Sequence, residues 1–187
     1  MKAPAALTFV DPTTVLNQIT VVPGSKVADF GCGAGYFTFE FAKEVGADGL
    51  VYALDVLPSA LEAVVSRAKT QGVTNIVTKR VNLEQAGGST LPPDSLDWVV
   101  LKDILFQNQK KDIILKEVTR VLKPDGCVLL MEWDPKSSMV GPDKNLRVSQ
   151  EQMKQMVQAV GLVVSDEINV GGFHYAFVAK KEGVSAR

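Results

Sequence analysis

The chain has 187 residues, 46% of them hydrophobic and 22% charged, with a formal net charge of -1. That length and apolar share fit a single domain over 1–187 with a sizeable core and exclude a mostly disordered chain, and the near-neutral balance argues against a nucleic-acid partner. Two distant cysteines, Cys32 and Cys127, and one histidine argue against a disulfide scaffold or a metal site, so the compartment is read as reduced and cytoplasmic.

The opening Met1–Leu7 lacks the apolar centre of a signal peptide, and nowhere do the ~18 consecutive apolar residues of a membrane span occur. An N-terminal helical segment lies within 1–22, with Asp11 as cap and Pro12 at the first helical position. After Pro23-Gly24, Lys26 to Phe30 is a first strand, Gly31 to Gly35 a glycine-rich loop and Tyr36 to Val45 a helix stopped by Gly46. Leu50 to Leu54 is a second strand ending at Asp55, and Pro58 to Thr70 a helix with Ala60, Leu61, Val64, Val65 and Ala68 at helical spacing. Asn75 to Val81 is a third strand, Gln85 to Ser95 a loop rich in glycine and proline, and Leu96 to Leu101 a buried fourth strand.

Asp112 to Leu122 reads as a helix, Lys123-Pro124-Asp125-Gly126 as a turn and Cys127 to Trp133 as a fifth strand. The polar connection from Pro135 to Leu146, within a segment 135–148, is read as a lid over the site, with an ordinary surface loop or linker as the alternative. Ser149 and Gln152 form a capping box for a helix ending at Gly161, and Leu162 to Val170 and His174 to Ala179 are strands joined through Gly171-Gly172. Alternating strands and helices imply an α/β fold with a parallel sheet covered on both faces, to which the terminal hairpin adds an antiparallel strand.

The stretch Val27-Ala28-Asp29-Phe30-Gly31-Cys32-Gly33-Ala34-Gly35 follows a strand and opens a helix. Glycines there let the backbone turn sharply and approach a ligand. Asp55, at the end of the next strand, is placed to accept both hydroxyls of a ribose. The spacing is G-x-G-x-G with Tyr36 next, which departs from the dinucleotide G-x-G-x-x-G and disfavours a nicotinamide-dependent oxidoreductase. Asp29 would also meet a pyrophosphate with like charge and suits an amine-bearing ligand better.

With these residues, Asp55, Leu96-Asp97-Trp98-Val99-Val100 and Leu122-Lys123-Pro124-Asp125-Gly126, the chain resembles the class I S-adenosylmethionine-dependent methyltransferases, in particular the small type 11 group related to quinone methyltransferases. The resemblance runs from about Val15 to the C-terminus. It implies a Rossmann-like, doubly wound seven-stranded sheet in the order 3-2-1-4-5-7-6, strand 7 antiparallel, with S-adenosylmethionine as cofactor. It also implies roles: Gly31, Gly33 and Gly35, with Cys32 between them, line the methionine and ribose part. Asp29 holds the amine, Asp55 the ribose hydroxyls, and Val56 flanks the adenine. Asn82, where the family often has an aspartate, and Leu83 meet the adenine, and Lys102 contacts the cofactor through its backbone.

Cys32 reads as a small loop filler rather than a nucleophile. Asp103 and Glu132, at the ends of the fourth and fifth strands, are the carboxylates placed to orient or deprotonate an acceptor. Phe106, Trp133 and His174 complete the expected substrate pocket, with a packed Trp133 and a hydrogen-bonded structural His174 as the plainer readings. The expected acceptor is a small molecule, since the chain is nearly all core fold. A protein lysine is the alternative, and a non-catalytic cofactor-binding subunit the reading from another class. The acceptor atom, the use of a general base and the oligomeric state are open in the sequence.

Overall fold

The computed structural model describes residues 10–137 and 140–182. The expectations for 1–9 and for residues 138 and 139 of the lid segment lie outside these described residues. Helix α1 (Pro12–Leu16) starts as read, with the Asp11 side chain accepting from the Thr13 N–H. There follow β1 (Lys26–Phe30), α2 (Tyr36–Val45), β2 (Leu50–Asp55), α3 (Pro58–Gln71), β3 (Ile76–Arg80), β4 (Leu96–Lys102), α4 (Lys111–Val121), β5 (Leu122–Trp133), α5 (Gln150–Ala159), β6 (Leu162–Ile168) and β7 (His174–Lys181). The strands form one sheet in the order β3-β2-β1-β4-β5-β7-β6. The first five strands pair in parallel, and β7 runs antiparallel to both β5 and β6.

Strand alternation sorts the core onto two faces. Ala28, Phe30, Val99, Leu101 and Leu130 pack with Ile114, Leu115, Val118, Met153 and Val157 of α4 and α5. Val27, Val51, Val100, Leu129 and Met131 pack with Val15 and Leu16 of α1 and with Phe37, Phe41 and Val45 of α2. Each fully buried side chain of this kind contributes roughly 1.5–3 kcal/mol, so the centre of the sheet is the rigid base on which the strand ends stand. No helix among the described residues is long and apolar enough to cross a membrane.

One boundary differs in kind from the sequence reading. Leu122 belongs to β5, where it pairs with Leu96, and Lys123–Gly126 bulges out before Trp98 meets Cys127. Asp97 fixes the bulge, accepting from Lys123 Nζ at 2.7 Å and from the Lys26 N–H at 2.8 Å. The expected turn is therefore present, but inside a strand. The other ends move less: β3 begins at Ile76, β6 stops at Ile168, and β7 runs on to Lys181.

Candidate functional site

The glycine loop is strapped across the carboxyl end of β2. The N–H groups of Gly31 and Cys32 both donate to the Leu54 carbonyl, at 2.7 and 2.9 Å. The Asp55 carboxylate takes the Gly33 N–H on Oδ2 and the Leu57 N–H on Oδ1, each at 2.9 Å. Each carboxylate oxygen accepts more than one bond, so Asp55 keeps capacity for hydroxyls of a ligand. Gly31 and Gly33 have φ of +73° and +52°, in the left-handed region that favours glycine. A Cβ on Gly31 would lie 1.9 Å from Ile104 Cδ1, whereas one on Gly33 would meet nothing within 4 Å among the described residues. Gly31 thus lets the loop touch the segment after β4, and Gly33 leaves a space.

That space is part of a cavity of about 630 Å³ beyond the carboxyl ends of β1 to β4. Of the sequence-named residues, Asp29, Gly31, Cys32, Gly33, Asp55, Val56, Asn82, Leu83, Lys102 and Asp103 line it. Gly35 sits just behind, where an added Cβ would strike Phe39 at 2.9 Å. Residues that sequence reasoning passed over also line the wall, among them Tyr36, Leu57, Glu84, Ile104, Gln107 and Asn108. Glu84 ties the two ends of the cavity together, since its Oε1 accepts from the N–H groups of Gln109 and Lys110 ahead of α4. This acceptor lies 25 residues before Gln109 in the chain, so the sequence around α4 carries no sign of it.

The wall carries four carboxylates, Asp29, Asp55, Glu84 and Asp103, against the one ammonium of Lys102. Such a wall favours a ligand with positive charge and repels a pyrophosphate. Asp29 is wholly buried, and desolvation raises its pKa to about 6, although Thr38 donates to it at 2.6 Å and pulls the other way. Burial, followed by the charges of Asp29 and Asp55, pushes the Cys32 thiol far up. Cys32 is therefore held in its thiol form. Asn82 folds its Oδ1 back onto the Glu84 N–H at 3.0 Å, which shapes the loop after β3.

A second polar group lies at the ends of β4, β5 and β7. Asp103 has φ +56°, rare for a residue with a side chain, and its carboxylate pairs with Lys102 Nζ. His174 Nε2 lies 3.0 Å from its Oδ1 and 3.3 Å from its Oδ2. Burial opposes the Asp103 charge, but the hydrogen bond from His174 and the Lys102 ammonium outweigh it and hold the pKa below the ordinary carboxylate value. Glu132 stands beside it on β5, 1% exposed, accepting the Leu105 N–H at 2.6 Å. Its Oε2 is buried without a hydrogen-bond partner among the described residues. Desolvation lifts Glu132 to about 7, with the Asp103 charge adding and the Leu105 N–H opposing.

Two neighbouring carboxyl groups are thus pushed apart in acidity. Glu132, Trp133, His174 and the half-buried Phe106, expected in the substrate region, do not line this cavity. Trp133 packs against His174 with ring centroids 4.1 Å apart and the planes tilted by 39°. The segment after β5 packs down on that pair: a Cβ on Gly141 would lie 2.4 Å from Trp133, and the Arg147 guanidinium gathers the carbonyls of Asp134, Ser137, Val140 and Pro142.

Glu132 also makes stability depend on pH in a definite direction. Its folded pKa of about 7 exceeds the ordinary 4.5, so its favourable contribution is complete below about 4.5 and lost as pH rises through about 7. Glu132→Gln keeps the shape and cannot ionise. Its unfolding free energy, relative to the native chain, is expected to rise between about pH 5 and about pH 8 by on the order of a few kcal/mol, read from denaturant melts at each pH. An offset between the two proteins that is constant over that range would show that Glu132 is ionised at both ends.

A family model described as a methyltransferase domain matches residues 22–177. Among curated proteins, the chain is 30% identical over 118 residues to a demethylmenaquinone methyltransferase of Geobacillus stearothermophilus, covering 63% of this chain and 49% of the relative. It is 36% identical over 124 residues to a ubiquinone/menaquinone biosynthesis C-methyltransferase of Paraburkholderia xenovorans, covering 64% and 49%. The chain thus spans about half the length of the curated relatives it matches. Among solved structures, a SAM dependent methyltransferase from Aquifex aeolicus aligns with a TM-score of 0.84 at 23% identity, covering 92% of this chain and 90% of the other. The [4+2]-cyclase SpnF aligns with a TM-score of 0.78 at 16% identity, covering 92% and 80%. Those two likenesses show the fold alone.

Proposed function

The chain belongs to the methyltransferase domain family, and from that premise we propose that it transfers a methyl group from S-adenosylmethionine to a small-molecule acceptor. The observation that carries the reading is the acidic cavity, open at Gly33 and braced by Asp55. The residues present fit this cofactor, whose ammonium and sulfonium suit the surplus of carboxylates. When bound, it supplies a methyl group made electrophilic by the sulfonium.

The chain's own residues do the rest. Asp55 accepts the ribose hydroxyls, Asp29 faces the ammonium, and Asn82 and Leu83 bound the adenine. Ligands of such sheets bind beyond the carboxyl ends of the strands. With the ends of β1 to β3 given to the cofactor, the acceptor docks toward Asp103 at the end of β4. Holding it in line with the methyl group and away from water supplies most of the rate. Asp103, kept ionised by Lys102 and His174, orients the acceptor, and Glu132 is the carboxyl poised to hold a proton. The names of the curated relatives favour a small acceptor of quinol type over a protein lysine.

Calorimetry with S-adenosylhomocysteine and with NAD tests the cofactor: the first is expected to bind and the second not, and the opposite result would restore the oxidoreductase reading. Asp103→Asn then tests the acceptor end, with labelled methyl transfer to reduced demethylmenaquinone as the first probe. Turnover is expected to fall about 10²-fold while S-adenosylhomocysteine affinity stays. A parallel fall in affinity would put Asp103 in the cofactor shell instead.

A further inference from the structure

Three side chains from two parts of the fold meet where the acceptor end of the cavity closes. Lys102 ends β4, Asp103 follows it with a left-handed backbone, and His174 opens β7, 71 residues away from Asp103 in sequence. The imidazole side chain is 6% exposed and faces the Asp103 carboxylate with Nε2. It is hemmed in: Trp133, its register partner on β5, packs against it with the rings tilted by 39°, and Arg147 lies 5.7 Å over the indole while its fork fastens the segment above. The charged and titratable groups around it are Lys102 and Asp103 at the end of β4, Glu132 and Asp134 at the end of β5, and Arg147.

We propose that His174 is a positioning residue for Asp103. Its Nε2–H, together with the Lys102 ammonium, holds the carboxylate in one orientation on the cavity wall, so that the acceptor must offer it a hydrogen-bond donor, a hydroxyl or an N–H, beside the atom that is methylated. The proposal rests on the reading of the cavity as a methyl-transfer site. Its logic is that of partnered and unpartnered charge. Asp103 Oδ1 is buried without a hydrogen-bond partner among the described residues, and a carboxylate kept ionised there is completed only by a donor on the docked acceptor. A thioether or a tertiary amine brings none. The direction of the imidazole fixes the tautomer, since the ring nitrogen that faces a carboxylate carries the proton.

Because His174 is the only histidine, a ¹⁵N-labelled sample of the full chain gives one imidazole, read directly by long-range ¹H–¹⁵N correlation at a pH where the ring is neutral. The Nε2–H tautomer is expected, giving way to a mixture in Asp103→Ala. An Nδ1–H tautomer in the native chain, or a tautomer indifferent to Asp103→Ala, would overturn the pairing, and neither result depends on any acceptor.

With reduced demethylmenaquinone as probe, His174→Phe keeps the ring and is expected to lower kcat/KM at least about 10-fold, and His174→Gln, which retains an N–H, to recover part of it. S-adenosylhomocysteine affinity should hold in both. Full activity of His174→Phe would contradict positioning. The dimethyl ether of the quinol, which lacks the donor, is expected to compete at least about 10-fold more weakly than the quinol, and equal competition would overturn the claim about the acceptor. Should the native chain leave the quinol unmethylated, that acceptor class fails, while the tautomer still decides the His174–Asp103 pair.

Discussion

Gly33→Val is expected to abolish S-adenosylhomocysteine binding, by at least about 100-fold in calorimetry, while leaving a folded domain. The two halves of that result have separate causes. A Cβ at this position meets nothing within 4 Å among the described residues, so no packed atom of theirs must move to admit the side chain. The φ of +52° makes a β-branched residue unfavourable, at a cost of roughly 1–2 kcal/mol, which lowers the melting temperature without unfolding a sheet of seven strands. The loss of binding comes from the same open space, because the valine methyls project into the volume the ligand needs. Gly31→Ala makes the contrast: its Cβ collides with Ile104, so its damage falls on the loop itself. Native affinity in a folded Gly33→Val protein would reduce Gly33 to a turn residue.

Asp55→Ala is the second large effect. The carboxylate does two things at once: it braces the loop through the N–H groups of Gly33 and Leu57, and it offers its remaining lone pairs to the ribose. Charged hydrogen bonds of this kind contribute about 1.5–3 kcal/mol, so S-adenosylhomocysteine should bind roughly 10- to 100-fold more weakly. Asp55→Asn keeps one acceptor oxygen and should fall between. Unchanged affinity in Asp55→Ala would mean that the adenosine lies elsewhere.

The parts of this site that lie within one short stretch of chain were legible in the sequence. The glycine loop and Asp55 announce themselves because turn, strand end and helix start follow each other within a few residues. The helix caps at Asp11 and Ser149 were legible for the same reason. The strand order 3-2-1-4-5-7-6 came from family resemblance, since periodicity fixes which face a strand buries and not which strand lies beside it. The bulge in β5 was hidden because it is set by Asp97, which reaches both Lys26 and Lys123 across the sheet.

The acceptor end was the least legible. Asp103 and Glu132 could be named from their places at strand ends, but not the opposite push that their surroundings give them. That difference depends on Lys102, on a histidine 71 residues away and on the depth at which Glu132 is buried. His174, read from sequence as a hydrogen-bonded structural residue or a pocket residue, stands against Asp103. Glu84 was not singled out in the sequence, because its hold on Gln109 and Lys110 exists only in the folded chain. The segment 135–148 was read as a lid. Its described residues pack on Trp133 and are fastened by Arg147.

The central claim, methyl transfer to a small molecule at this cavity, is tested most directly by incubating the purified chain with methyl-labelled S-adenosylmethionine and a cell extract, then separating small molecules from protein. The account predicts enzyme-dependent label in the small-molecule fraction that Gly33→Val does not produce. Label confined to protein, or no enzyme-dependent label in either fraction, would contradict it.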